Sequence, residues 1–193
     1  MKKLTLSNIT PLSEYEKERA GFRRRIIALK ALRRIAVGEL ITLVFENRDT
    51  VRFQIQEMTR AERLDDEAKI REELATYNEL IPNDGELSAT LFIEITEAGR
   101  IKELLDRLMG IDEPGRLWLE LGNARCDAIF EAGHSKEDKL SAVHYLRFQL
   151  TPEQQRRLGD HAVAARLVIE HPNYKASAEL ALETRRSLLD DLT

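Results

Sequence analysis

The sequence predicts an α+β fold, in which a largely antiparallel mixed sheet of about seven to eight strands is combined with an N-terminal helix, two to three middle helices and a C-terminal helix. Segments whose apolar residues alternate outnumber segments with helical spacing. Most of these segments are joined by short turns, whereas parallel strands need long crossover connections. The 193 residues fit a single domain covering 1–193, because domains run to roughly 250 residues.

Composition restricts the class of protein. Hydrophobic residues make up 42% of the chain and charged residues 33%, as in soluble globular proteins. No stretch approaches the ~20 apolar residues of a membrane-spanning helix, so we expect a cytoplasmic protein without a membrane partner. The single cysteine, Cys126, excludes disulfides within the chain, and any bound metal must be held by histidines and carboxylates.

Charge is unevenly distributed along the chain, although the net charge is only -4. Residues 1–36 contain ten Lys or Arg against three Glu, and residues 57–113 contain seven basic against sixteen acidic residues. We expect the basic helix to pack beside an acidic layer of its own protein, so that the two fields largely cancel. The alternative is an exposed basic helix that meets an acidic partner or RNA.

The first element is an amphipathic helix over residues 11–33, with Thr10 as its N-cap. Its apolar stripe also contains Arg19. A guanidinium on a buried face needs a carboxylate or a bound anion, because an unpaired buried charge is strongly destabilising. We therefore expect Arg19 to pair with Glu57 or Glu62.

Two strands are predicted after this helix, over residues 40–46 and 50–57, joined by a tight hairpin turn. Apolar residues alternate in the second strand. Glu57 extends their inward row where the strand ends.

The segment 57–63 is dense in ion-pairing groups and begins a helical turn with Arg60 and Arg63 on one side. Asp65 or Asp66 caps the next helix. The later predicted strands are 87–95, 117–121, 126–131, the second half of 137–150, 163–169 and 174–178. The later predicted helices are 97–109, 151–158 and 180–192.

The stretch 137–150, called here the organising stretch, is the most informative segment of the sequence. Its second half alternates between apolar and polar residues like a half-buried strand. The apolar residues of one parity are Leu140, Ala142, Leu146, Phe148 and Leu150. His144 falls in the same row. This row is too apolar to be left exposed, so we expect the strand that holds His144 to be central in the sheet.

Two interpretations of His144 are open. In the first it is a neutral core histidine that donates one ring N–H to a buried acceptor. In the second it meets Glu57 and His171, which lie at the ends of other strands, and two histidines with one carboxylate suit a divalent transition metal with open positions. Lys139 and Arg147 would then hold an anionic ligand nearby.

Complete catalytic motifs are missing from the sequence. It contains neither a glycine-rich phosphate loop nor a G-x-S-x-G or H-E-x-x-H motif. The candidate ligand-binding residues are therefore single side chains: Arg19, Glu57, Arg60, Arg63, Lys139 and Arg147. The candidate metal ligands are His144, His171 and Glu57.

Four segments resemble an uncharacterised bacterial family of about this length. They are F-E-N-R-D-T-V-R-F-Q-I-Q-E-M-T-R-A-E-R at 45–63, Y-N-E-L-I-P at 77–82, E-D-K-L-S-A-V-H-Y-L-R-F at 137–148 and E-H-P-N-Y at 170–174. Genes of that family are often found beside genes for rubrerythrin-like proteins and iron–sulphur oxidoreductases. The resemblance implies a role in peroxide defence or electron transfer, with a redox protein as partner, and it supplies no catalytic residue.

Three functions follow, in order of preference. The first is a non-enzymatic accessory or binding protein that docks on a redox partner. The second is a small metal-binding or anion-binding enzyme whose pocket gathers Glu57, Arg60, Lys139, His144 and His171. Convergence of these side chains on one concave site favours the enzyme, and dispersal favours the binding protein. RNA binding through the basic helix is third, because the chain is acidic overall and Phe and Tyr are sparse among its basic residues.

Overall fold

The computed structural model describes residues 1–133 and 139–192 of the chain. The beginning of the organising stretch, residues 137 and 138, lies outside the described residues. The strands are β1 Arg34–Val37, β2 Ile41–Glu46, β3 Glu86–Ile93, β4 Leu117–Leu121, β5 Ala124–Asp127, β6 Ile129–Phe130, β7 Val143–Gln149, β8 Ala165–His171 and β9 Tyr174–Glu179. The α-helices are α1 Leu12–Arg33, α2 Arg48–Ala61, α3 Glu67–Asn78, α4 Ile101–Arg107, α5 Pro152–Gly159 and α6 Leu182–Leu192. Two 3₁₀ turns precede α1 and α4, at Leu6–Asn8 and Ala98–Arg100.

The nine strands of the described residues form two sheets rather than one. The first has the order β1-β2-β3-β7-β6, and the second has the order β5-β4-β8-β9. Every pairing is antiparallel. The predicted α+β class, the antiparallel character and the N-terminal and C-terminal helices are confirmed. The strand β7, which holds His144, has β3 on one side and the short β6 on the other, as predicted for a strand that is not an edge.

The two sheets pack face to face around the main hydrophobic core. The first sheet contributes alternate residues of its strands, such as Leu43, Leu91 and Phe148, and the second contributes residues such as Leu119 and Leu167. Burial along β7 alternates, so the side chains of even-numbered residues from His144 to Phe148 point inward. Helices α5 and α6 add side chains to the same core.

The sheets are tied together at one pair of edges, where β1 and β9 meet. The hydroxyl of Tyr174 donates to the carbonyl of Val37 at 2.6 Å and accepts from the amide of Leu40 at 3.2 Å. Gly38 lies beneath this ring with φ +76°, and a Cβ there would overlap the Tyr174 hydroxyl oxygen. Both the backbone conformation and the close approach therefore require glycine.

The predicted hairpin at 40–57 is wrong in its second half, because residues 50–57 belong to helix α2. Asn47 is the N-cap: its side chain accepts from the amides of Asp49 and Thr50, and the Thr50 hydroxyl accepts from the amide of Asn47. Val51 and Ile55 are both buried, and their spacing of four residues fits a helix as well as it fits a strand. The capping box formed by Asn47 and Thr50 favours the helix over the strand.

Smaller differences concern the ends of helices. The N-cap position of α1 is Pro11 rather than Thr10, whose backbone amide and carbonyl are bonded to the side chain of Gln56. The predicted helix 97–109 is shortened to a 3₁₀ turn followed by α4. Asp66 caps α3, which confirms one of the two predicted caps. Within the described residues, none of the helices combines the length and the apolar character needed to cross a membrane.

Candidate functional site

The outer face of the first sheet is the side of β2, β3 and β7 that is turned away from the second sheet, and it carries a group of polar residues that are buried. The cross-strand rows on this face are Thr42–Phe92–Val143, Val44–Thr90–Tyr145 and Glu46–Ser88–Arg147. Thr42, Glu46, Ser88 and Thr90 are less than 5% exposed. Buried polar groups need hydrogen-bond partners, and on this face they lie within the protein itself or in a cleft above it.

Glu46 lies at the centre of the outer face and is 1% exposed. Its Oε1 accepts from Thr90 Oγ1 at 3.2 Å and from Gln54 Nε2 at 3.3 Å. Its Oε2 accepts from Thr50 Oγ1 at 2.5 Å. The nearest cation is Lys30, whose Nζ lies 3.8 Å from Oε1, beyond hydrogen-bond distance. The hydrogen bonds to this carboxylate thus come from neutral donors, and two of these bonds are long.

A cleft of about 490 Å³ lies above Glu46, between the outer face and helices α1, α2 and α3. Its charged lining residues are Lys30, Glu46, Glu57 and Arg60. Its aromatic lining residues are Phe53, Tyr77, Phe92 and Tyr145. An apolar wall with a few convergent polar groups is typical of small-molecule sites.

Arg19 and Glu57 form the predicted ion pair at the α1–α2 contact beside this cleft. Arg19 Nε and one terminal nitrogen donate to the two oxygens of Glu57 at 2.8 and 2.7 Å, and the Tyr15 hydroxyl donates to Oε1 at 2.7 Å. The hydrogen bond from Arg19 holds the pKa of Glu57 below its usual value. Burial, together with the bond to Glu57, raises the pKa of Tyr15. Arg60 is bonded through Nε to Glu16 at 2.7 Å.

Arg147 lies in a neighbouring pocket of about 390 Å³, which shares Leu80 and Tyr145 with the cleft. It donates to Glu86 Oε2 at 2.7 Å and to the carbonyl of Glu79. These bonds attach β7 to the turn between α3 and β3. Arg147 is therefore placed to stabilise the turn between α3 and β3.

His144 lies on the opposite, inner face of the same sheet and is fully buried. Its Nε2 donates to the carbonyl of Ser141 at 2.8 Å, since a carbonyl can only accept. Its Nδ1 lies 3.9 Å from Asp112 Oδ2, and the ring of Phe130 meets the imidazole edge to face at 5.9 Å. A ring N–H that donates to a backbone carbonyl is what the core-histidine interpretation predicts, although this carbonyl is only partly buried.

His171 lies in the second sheet, at the end of β8. Its Nδ1 accepts from the amide of Asn173 at 3.2 Å, which leaves Nε2 as the donor to the carbonyl of Met109 at 2.8 Å. Both ring nitrogens are thus hydrogen-bonded to the backbone. Across residues 1–133 and 139–192, no group of three or more His, Cys, Asp or Glu is placed to hold a metal ion. The structure does not bring His144, His171 and Glu57 together as ligands.

The other predicted site residues are also dispersed. Among Glu57, Arg60, Lys139, His144 and His171, only Glu57 and Arg60 line the same cleft. Lys139 is exposed. Arg63 follows α2 in a left-handed conformation, with φ 51°, and its side chain is exposed. The described residues therefore do not gather these five side chains at one concave site.

Glu46 is the functional candidate that sequence reasoning missed. The sequence predicts it to be the last residue of a strand before a hairpin turn, a position that gives no reason for burial. The available signal was the pattern Asn47-x-x-Thr50, which predicts a helix start and hence a helix over the outer face. A helix in that place covers Glu46 and turns a strand end into the floor of a cleft.

Comparison with known proteins gives a family but no function. The family described as "Protein of unknown function (DUF3501)" matches residues 3–192. A crystal structure of a protein of unknown function from Burkholderia pseudomallei is similar over 100% of both chains, with a TM-score of 0.90 and 32% sequence identity. A comparison with curated proteins gave no match.

Proposed function

The chain belongs to the DUF3501 family of proteins of unknown function, and we propose that it is a binding protein for a small amine with an apolar, aromatic-sized body. The observation that carries this proposal is the buried carboxylate of Glu46 at the floor of the cleft. This is a specific form of the accessory or binding role that the sequence favoured.

Glu46 is suited to an incoming cation by the geometry of its partners. The two donors to Oε1 are 3.2 and 3.3 Å away, longer than the usual ~2.9 Å, and Lys30 Nζ stops at 3.8 Å. An ammonium group in the cleft would donate a charge-assisted hydrogen bond, which is shorter and about twice as strong as a neutral one. Binding would supply the close positive charge that a buried carboxylate needs.

The other charged residues of the cleft are already engaged by protein groups. Glu57 is held by Arg19 and Tyr15, and Arg60 is held by Glu16. We therefore assign recognition of the ammonium group to Glu46. The aromatic side chains supply an apolar wall, and their ring faces attract cations and the C–H edges of an organic ligand.

The experiment is a calorimetric titration with phenethylamine, and with 3-phenylpropionate as an anion of similar size. We expect the amine to bind and the anion not to bind. Glu46→Gln keeps the shape of the side chain but removes its charge, so it should weaken amine binding at least tenfold, or by about 1.4 kcal/mol. The matched control is Glu120→Gln, which removes a carboxylate paired with Arg166 on the second sheet and should leave binding unchanged.

Lys30→Met gives a result of the opposite sign. Lys30 Nζ competes with a ligand cation for Oε1 of Glu46, so its removal should tighten binding of phenethylamine. Thermal unfolding of each variant checks that the fold is intact. The proposal is wrong if Glu46→Gln binds the amine as well as the unmodified protein does, or if the anion binds in preference.

The accessory role in a redox system remains part of the proposal, as the context implied by the family resemblance. The chain's own thiol is poorly suited to redox chemistry, because burial raises the pKa of Cys126 to about 11 and its Sγ donates to the carbonyl of Gln149 at 3.3 Å. A partner would therefore carry the redox centre. Affinity capture from a native lysate tests this role, and recovery of no rubrerythrin-like or iron–sulphur protein would count against it.

A further inference from the structure

The outward side of helix α1 carries positive charge that the protein does not neutralise itself. Residues 19–38 contain seven Lys or Arg and no Asp or Glu. Four of the seven face a carboxylate of another element: Arg19, Lys30, Arg33 and Arg34. The other three, Arg23, Arg24 and Arg25, are exposed, and none of them forms an ion pair with a residue of 1–133 or 139–192. The expected cancellation of the basic helix by the protein's own acidic groups is therefore incomplete.

Arg23 and Arg24 differ from Arg25 in what their guanidinium groups contact. The guanidinium carbon of Arg25 lies 5.4 Å from the centre of the Phe22 ring, so this group rests against its own helix. Within the part of the chain that the structure describes, Arg23 and Arg24 have neither an aromatic contact of this kind nor a side-chain hydrogen bond. Each guanidinium has five N–H donors, and those of Arg23 and Arg24 are thus available to a partner.

Ile27 lies on the same side of α1 as these two arginines. It follows Arg23 by four residues and Arg24 by three, a spacing that makes side chains neighbours on a helix. Ile27 is 52% exposed, whereas Tyr15 and Ile26 on the opposite side of the helix are buried. The exposed residues on the side of Ile27 define the outer stripe of α1: Ala20, Arg23, Arg24, Ile27, Ala28 and Ala31.

The outer stripe combines two features of protein interfaces. Arginine is enriched at interfaces, where its planar guanidinium pairs with carboxylates through two parallel hydrogen bonds. An apolar residue beside such a pair excludes water and strengthens it. Ile27 supplies the apolar residue, and the alanines before and after it allow a second helix to approach closely. The chemistry that matches the stripe is therefore a helix with carboxylates on both flanks of an apolar row.

Other macromolecules that bind basic surfaces fit the outer stripe less well. A membrane surface needs large apolar side chains such as Trp, Phe or Leu, whereas the stripe offers one isoleucine among alanines. A second copy of α1 laid across Ile27 would bring further arginines to the contact, and residues 19–38 would add no carboxylate. RNA would leave Ile27 unused, and the stripe has no aromatic side chain on which bases could stack.

We propose that the outer stripe of α1 is a docking surface for an acidic amphipathic helix of another protein. In this arrangement, Asp or Glu side chains of the partner pair with Arg23 and Arg24, and its apolar row packs on Ile27. None of the stripe residues lines the cleft above Glu46. The docking surface and the amine site can therefore fail independently of each other.

The first test is a calorimetric titration with synthetic peptides of about 18 residues, or five helical turns. The probe has leucines along one side of the helix and glutamates on both flanks, and a lactam bridge keeps it helical. We expect saturable binding of this peptide. A version with glutamine in place of glutamate should bind about tenfold more weakly, because the charged pairs are lost. A scrambled peptide of the same composition should bind about fivefold more weakly, because its leucines no longer form a row that meets Ile27.

The second test exchanges the charges. The double variant Arg23→Glu with Arg24→Glu should no longer bind the glutamate peptide and should instead bind a version with lysine in place of glutamate. Ile27→Ser should weaken binding of the glutamate peptide about fivefold. The matched control is Lys69→Glu with Arg71→Glu, which makes the same change of charge at exposed positions of α3 and should leave binding unchanged. All of these positions are exposed, and thermal unfolding checks that each variant is folded.

The inference is overturned if the glutamate peptide shows no saturable binding, if the scrambled peptide binds equally well, or if the charge-exchanged variant does not accept the lysine peptide. It is also overturned if a short RNA duplex binds more tightly than the peptide and depends on Arg23 and Arg24, because the stripe would then be a nucleic-acid surface. A dimer in sedimentation experiments that the charge exchange dissociates would make the occupant a second copy of the chain and would count against the proposal in the same way.

Discussion

The two faces of the five-stranded sheet are built from alternate residues of the same strands, and both are largely buried, yet they differ in chemistry. The inner face presents Leu43, Leu91 and Phe148 to the second sheet. The outer face presents Glu46 and Thr90 to the helices. Burial alone therefore does not mark a packing core in this protein, and the polar face is where a ligand could be recognised.

The two faces are stabilised by different kinds of interaction. Apolar packing on the inner face is non-directional and follows the buried area. The outer face depends on a hydrogen-bond network in which each donor has a definite acceptor, and loss of one member leaves the others unsatisfied. Substitutions on the two faces should therefore destabilise the protein for different reasons. The size of the loss in the free energy of unfolding distinguishes them.

The largest effect is expected on the inner face. Phe148 is fully buried, with its ring 6.0 Å from that of Phe45. Phe148→Ala should lower the free energy of unfolding by about 4 kcal/mol, through lost burial and the cavity it leaves. Phe92→Ala is the matched change on the outer face, where the ring is half-buried beside the cleft, and it should cost about 1–2 kcal/mol. Urea denaturation measures both, and equal losses would contradict the distinction between the faces.

The next effect is expected from the polar network. Glu46→Ala removes the acceptor for Thr50, Thr90 and Gln54, so we expect a loss of about 3 kcal/mol in the free energy of unfolding. Thr90→Val removes one donor and should cost about 1 kcal/mol.

The two changes share a partner, so the double variant Glu46→Ala with Thr90→Val should lose less than the sum of the single losses. Urea denaturation of the three variants measures this coupling. Strict additivity would mean that Thr90 and Glu46 do not depend on each other.

The contrast between the two faces also explains which parts of the sheet could be predicted from the sequence. The inner face was predictable, because the parity of Leu146 and Phe148 in β7 is a direct consequence of strand geometry. His144 was correctly placed in that row, and the structure gives its Nε2 a backbone carbonyl as acceptor. The class, the antiparallel pairing and the Arg19–Glu57 pair were likewise available from spacing and charge.

The outer face was not predictable in the same way, because it depends on which element covers it. Val51 and Ile55 are compatible with both a strand and a helix, so apolar spacing alone could not decide between them. The N-cap at Asn47 favours a helix for this segment. Because α2 then covers the sheet, Glu46 is buried. The metal hypothesis needed Glu57 at a strand end, and that position followed from the wrong assignment.

The smallest effect concerns the ion pair at the edge of the outer face, and it is best measured through its dependence on pH. The pKa of Glu57 is lowered from 4.5, mainly by the hydrogen bond from Arg19. A carboxyl group with a depressed pKa in the folded state stabilises the protein above pH 4.5 and loses this contribution as the pH falls through the folded pKa. Stability should therefore decrease on acidification below about pH 4.5, in part because Glu57 becomes protonated.

Arg19→Met tests this contribution while keeping much of the apolar stem of the side chain. We expect lower stability at pH 7 and a shallower loss between pH 4.5 and the acid transition, because the main cause of the pKa shift is gone. Arg166→Met is the control, since it removes the partner of Glu120 on the exposed side of the second sheet. Each guanidinium is partly exposed, so the effects are small, but the acid-side slope should change more for Arg19. Identical pH profiles for Arg19→Met and the unmodified protein would show that the guanidinium contributes no more than a solvated one.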